Sequence, residues 1–276
     1  MSAFKRIMLI LTTTINDELH HKSVYLFGGA AFLFVFLLRG CYDNDVVVNG
    51  EKLNGATIGW HASLIAFHLI SIAGVIIGLL LGTRVLRRDQ HTGMVTAILS
   101  RPVKRVDYII GKTLGVWTLA YGFTLFLHLA VYGVMLVKTG GRIGFFIPAS
   151  FMVSLNVLLS ILMVMVASRF VPDILATLFG GGIWLVGYIS DTMFKVAQTE
   201  TVKNLLDQVQ TGEVGAVALW RIVWPKITML QYYAVSMIKE MPLRGPGNVP
   251  PLLNVVFFIV AAFLLLWWHF SREEVR

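Results

Sequence analysis

The chain has 276 residues, 57% of them hydrophobic and 14% charged, against about 25% charged in soluble domains, and its mean hydropathy is +0.75. So few polar side chains could not cover a soluble fold, so the chain reads as an integral, all-α membrane protein with a single transmembrane domain over residues 1–276. The net charge of +8 sits beside apolar runs and reads as a topology signal rather than a nucleic-acid site, and the single cysteine, Cys41, excludes an internal disulfide and a thiolate metal cluster.

Residues 1–22 come first. Phe4, Ile7, Met8, Leu11, Ile15 and Leu19 recur at helical spacing, with Lys5, Arg6, Asn16, Asp17 and Glu18 mostly off that stripe. This predicts an amphipathic helix on the membrane surface leading into the first span. A crossing needs about 20 apolar residues, and six segments meet or approach that: 23–42, 58–82, 112–137, 145–168, 174–190 and 252–269. Even parity puts both termini on one side. The first apolar run follows a polar stretch and lacks a small-residue cleavage site, so no signal peptide is expected.

Between the second and third spans, residues 84–112 carry seven Lys or Arg against two Asp. So basic a connection stays on the cytoplasmic side and orients the chain. It also holds an ordered pattern: Asp89, Gly93, then Ser100-Arg101-Pro102-Val103, Arg105 and Gly111-Lys112. Asp89 to Thr92 can cap and begin a helix, Gly93 breaks regularity, and Pro102 forces a turn before a new helix near Asp107. Two short helices with a fixed bend would make a rigid lever.

That pattern resembles the corresponding loop of ABC-2 type transporter permeases, where an acidic residue precedes Gly-Thr and is followed by RPV-x-R and GK. Asp89 stands where the family usually has Glu, and Met94 where it usually has Thr. The order of spans is compatible with the family over the whole chain. The resemblance implies that residues 83–111 form a coupling helix seated in an ATPase subunit, with Asp89, Gly93, Arg101, Pro102, Arg105, Gly111 and Lys112 as the coupling residues. It also implies two ATPase copies holding ATP and Mg, a second permease chain as homodimer or heterodimer, and a bacterial inner membrane with both termini cytoplasmic. The chain itself would bind no cofactor or metal. Gly111-Lys112-Thr113 is not a phosphate-binding loop, because the glycine required five residues earlier is Val106 and no strand precedes it.

In the second span Gly74, Gly78 and Gly82 form GxxxGxxxG, and in the fifth Gly180, Gly181 and Gly182 are consecutive. These read as a hinge or close dimer seam, or as tight packing within one bundle; the family's arrangement mildly favours a seam for the triplet and for Gly28-Gly29. Three intramembrane polar residues need partners: His68, His128 and Asn156. They serve interhelical hydrogen bonding, a substrate or proton site, or, for the two histidines at similar depth, haem ligation.

Residues 191–251 form the largest extramembrane piece, with six basic and five acidic residues, and parity places them outside. Within them, 214–238 is apolar but broken by Arg221, Pro225 and Lys226, with Trp220, Trp224, Tyr232 and Tyr233 clustered there. This is either a soluble cap helix or one or two short helices lying in or dipping into the outer leaflet; the resemblance favours the second.

Three function classes follow. The first is the membrane subunit of an ATP-driven exporter, with a possible periplasmic partner besides membrane lipid. The second is a secondary transporter, against which stands the lack of a carboxylate deep in any expected span. The third is a membrane anchor of a redox or cofactor-maturation complex.

Overall fold

The computed structural model describes residues 2–20, 22–42, 47–48, 51–52, 55–91, 103–139, 144–197, 224–241 and 250–272. They form eight helices: α1 (Ala3–Leu19), α2 (Lys22–Tyr42), α3 (Gly55–His91), α4 (Arg105–Thr139), α5 (Phe146–Ala167), α6 (Asp173–Ala197), α7 (Ile227–Ile238) and α8 (Pro251–Arg272). A two-residue antiparallel ribbon pairs Val47 with Lys52 and Val48 with Glu51. Five helices, α3, α4, α5, α6 and α8, are long and apolar enough to cross a membrane. In α2 the apolar stretch Phe27–Leu37 is shorter.

The most buried of these five is α5, which touches α3, α4, α6, α7 and α8. The fit of α4 and α5 against α3 explains the glycine row. A Cβ on Gly74 would run into the Thr124 side chain, one on Gly78 would lie 3.0 Å from Val157, and one on Gly82 would lie 2.7 Å from Val164 and 3.3 Å from the Ile161 carbonyl. The row is a packing seam inside this chain. Gly180 has the same use, since a Cβ there would come within 2.9 Å of Leu79. Gly181 has looser neighbours, and Gly182, Gly28 and Gly29 have nothing within 4 Å. Around Gly182 the outer face of α6 carries exposed Ile174, Leu178, Leu185 and Met193.

Both α3 and α4 outrun their apolar stretches. α3 has 37 residues and continues through Arg84, Arg87, Arg88 and Asp89 to His91; α4 has 35 and starts at Arg105. The expectation that Asp89 begins a new helix is therefore corrected: it lies in the last turns of α3. Arginine is a good helix former, and each of these polar groups finds a partner, so nothing stops the helix where the hydropathy falls. The end of the bundle where α3 closes and α4 opens is called the basic end below.

α1 is capped by Ser2, whose Oγ accepts from the Lys5 N–H at 3.4 Å. Its packing differs from the expected stripe. Ile10, Thr14 and Glu18 are the buried positions, whereas Phe4, Met8, Leu9 and Leu19 are exposed. The buried row lies along α4, where glycines let the two backbones close in. A Cβ on Gly111 would meet Ile10 at 2.7 Å and the Ile7 carbonyl at 3.2 Å; one on Gly115 would meet Thr14 at 2.8 Å. Substituting Gly111→Leu is expected to lift α1 off α4 and speed tryptic cleavage after Arg6 about tenfold, the kinetic sign of a local opening made easier by roughly 1.4 kcal/mol. An unchanged cleavage rate would mean that the contact does not hold α1 down.

Candidate functional site

At the basic end several polar side chains pair with partners on other elements. Lys112 Nζ lies 2.6 Å from Asp89 Oδ2, with side-chain exposures of 2% and 1%. The Tyr108 hydroxyl donates to the same oxygen at 2.7 Å, and the Tyr108 ring stacks on Phe270 of α8, centroids 5.6 Å apart. Burying two charges costs several kcal/mol each, and the pair tolerates it because Tyr108 supplies a further donor.

Arginines extend the bracing outward. Arg87 donates to the carbonyls of Ser168 at 3.0 Å and Val171 at 2.9 Å and pairs with Asp173 at 3.0 Å, which clamps the turn between α5 and α6. Arg105 donates to the carbonyls of Phe270 at 3.0 Å and Ser271 at 2.8 Å, completing the C-terminal turn of α8. Arg6 pairs with Asp107 at 2.8 Å, and Arg88 pairs with Glu18 at 3.1 Å and Asp17 at 3.6 Å, tying α1 to both long helices. In the turn after α5, burial pushes the pKa of Arg169 down from its ordinary value.

The second polar constellation lies half-way along the bundle. Asn156, in the middle of α5, donates through Nδ2 to the Ile227 carbonyl at 2.9 Å, so α7 begins at that depth. It runs back toward the end opposite the basic one, where Val235 and Ile238 join Leu64, Phe67 and Phe146. Twelve residues give a helix about 18 Å long, roughly half a bilayer. Its first turn would strand several backbone donors among apolar side chains, and each is satisfied. The Lys226 N–H bonds Asn254 Oδ1 at 2.8 Å, and the Ile227 N–H bonds the Pro225 carbonyl at 2.9 Å. The Thr228 and Met229 N–H groups share Asp191 Oδ2 at 3.1 and 3.3 Å. The negative carboxylate also opposes the positive end of the α7 dipole.

The expected site residues thus separate into groups. Asp89, Arg105 and Lys112 come together as buried or half-buried braces, and Gly111 serves the α1 contact. Gly93, Arg101 and Pro102 lie outside the described residues, as do Trp220 and Arg221. His68 and His128 are drawn apart. His128 Nδ1 lies 2.7 Å from Ser150 Oγ, its Nε2 lies 3.4 Å from the Phe67 carbonyl, and its ring stacks on Phe67; His68 Nδ1 instead lies 2.8 Å from Gln231 Nε2 of α7. Interhelical hydrogen bonding accounts for both, and opposed haem ligation finds no support in this arrangement. In its described part the apolar stretch before α8 is one short helix, α7, in which Thr228, Leu230, Gln231 and Ala234 are buried. Asp191 was missed because the apolar run ends at Ser190, whereas α6 continues to Ala197; it is buried near the end of the long apolar stretch Asp173–Met193. No protein-family model matches the chain, and no curated protein matches it.

Proposed function

We propose that the chain is the membrane subunit of an ATP-driven transporter resembling ABC-2 type permeases, working as an exporter. In this reading α2 is the first of six crossings, both termini and the basic end face the cytoplasm of a bacterium, and residues 92–102 dock on a separate ATPase. Two permease chains and two ATPases complete the assembly, with the exposed face of α6 around Gly182 meeting the second permease or lipid. The observation that carries the reading is the braced pair of helices under that segment. Asp89–Lys112 pins α3 to α4 in the last turns of α3, while Arg87 and Arg105 tie the same pair to α6 and α8. A push on residues 92–102 is then delivered to packed helices rather than lost in a loose loop.

Affinity purification of the tagged chain from its own membranes in mild detergent tests this. A nucleotide-hydrolysing subunit in equal amount is expected, and Gly93→Leu or Arg101→Glu should lower its recovery roughly tenfold, about 1.4 kcal/mol of binding. Recovery without any such subunit overturns the reading.

One observation favours secondary transport instead: a buried carboxylate, Asp191, at the start of a half-helix, a place where such transporters hold ions. Its Oδ2 already accepts two backbone N–H groups, which is a structural use. Uptake or efflux in vesicles driven by a pH or sodium gradient without ATP would decide for this second reading.

A further inference from the structure

Beside the half-helix, α3, α6 and α7 enclose a cleft of about 260 Å3. No Asp, Glu, Lys or Arg lines it; on a mostly apolar wall with Ile65, Leu69 and Ile72 stand five side chains that carry a hydrogen-bonding group: His68, Gln231, Thr228, Tyr188 and Tyr232. Two of its lining residues, Ile65 and Leu69, are 61% and 50% exposed. Both lie within the long apolar stretch of α3, where an exposed side chain of a membrane-crossing helix would meet lipid.

A second hollow lies on the other flank of α3. It is a trough of about 380 Å3 between α2, α3 and α4, walled only by apolar side chains, including Ala30, Ala73 and Phe123. The small side chains at Ala30 and Ala73 give it depth. Leu69 belongs to both walls, so polar cleft and apolar trough meet at one residue.

The chemistry of the cleft restricts its guest. With Gln231 Nε2 donating to Nδ1, the neutral His68 ring carries its proton on Nε2. Neither Asp191 nor Lys226, the buried charges at the start of α7, lines the cleft. An ionised head entering it would lose its water without gaining a counter-charge, at a cost of several kcal/mol by the general penalty for unpaired charge in an apolar surround. A hydroxyl or amide head would find both donors and acceptors.

The geometry points to a binding site for an uncharged, single-chain amphiphile, its hydroxylated head in the cleft against the hydrogen-bonded pair of His68 and Gln231 and its chain passing over Leu69 into the trough. The site is independent of what drives transport, because none of its walls belongs to the basic end.

Native mass spectrometry of the delipidated full-length chain in detergent tests it, with monoolein as the neutral probe and oleate and oleylamine as its charged counterparts. Monoolein should bind about tenfold more tightly than either. His68→Phe and Gln231→Leu should each remove that preference, while Ala73→Trp, which fills the trough and touches neither polar group, should abolish the gain in affinity with chain length. Should Gln231→Leu fail to fold, His68→Phe and Ala73→Trp still decide, since both changes are on α3 and leave every residue of α7 in place. Equal binding of monoolein and oleate, no binding of monoolein to the wild type, or wild-type affinity in His68→Phe overturns the proposal.

Discussion

Replacing Lys112 with methionine is expected to cost about 3–5 kcal/mol, because Asp89 is left as a buried charge without its cation. In a thermal unfolding experiment in detergent this amounts to a fall in midpoint on the order of 10 °C. The informative comparison is the double variant Asp89→Asn with Lys112→Met. Asparagine keeps an acceptor for the Tyr108 hydroxyl, which donates to Asp89 at 2.7 Å, and no ion remains to be solvated. The double variant should therefore recover most of the lost stability, as buried pairs replaced by uncharged groups commonly do. If both single variants and the double unfold at the wild-type midpoint, the pair does not hold α3 and α4 together. Should the double variant be stable yet fail to couple to an ATPase that the wild type activates, the ion pair works in transmission rather than in folding.

Asp191→Ala carries the second large effect. It leaves the Thr228 and Met229 N–H groups without an acceptor inside an apolar bundle and removes the charge that opposes the helix dipole, a combined loss of about 3 kcal/mol. Hydrogen exchange over residues 227–238 should rise by roughly a hundredfold, the equivalent of about 2.7 kcal/mol if the opening is confined to α7. Asp191→Asn keeps one neutral acceptor and should give an intermediate rate. Equal protection in all three proteins would sink the assignment of Asp191 as the cap.

The five helices long and apolar enough to cross a membrane were legible in the sequence because long hydrophobic runs have few alternatives in water. The ends of helices were not, and Asp89 and Asp191 show why. In both places the hydropathy falls while the helix continues, since the polar side chains that follow are matched by partners far along the chain: Lys112 for Asp89, and the first turn of α7 for Asp191. Spacing reveals the turn a residue belongs to and says nothing of a partner tens of residues away. The glycine row at 74, 78 and 82 was readable as a close approach, whereas the identity of the other surface, Val157, Ile161 and Val164 of the same chain, needed coordinates. For His68 and His128 interhelical hydrogen bonding was among the readings the sequence offered, but the partners, Gln231 for His68 and Ser150 for His128, needed coordinates.

The way α1 is fastened has a consequence for biosynthesis. Its ion pairs reach Arg88 and Asp107, and Arg6 and Asp107 are 101 positions apart in the sequence. At about 5–20 residues per second, α1 leaves the ribosome on the order of 5–20 s before α4 exists to receive it. For that interval Ile10, Thr14 and Glu18 have no protein surface to cover them, and the exposed Phe4, Met8 and Leu9 offer the nascent chain a foothold in the bilayer surface. Docking of α1 then waits for α4, so a chain stalled before α4 carries an undocked α1 that quality-control proteases can recognise.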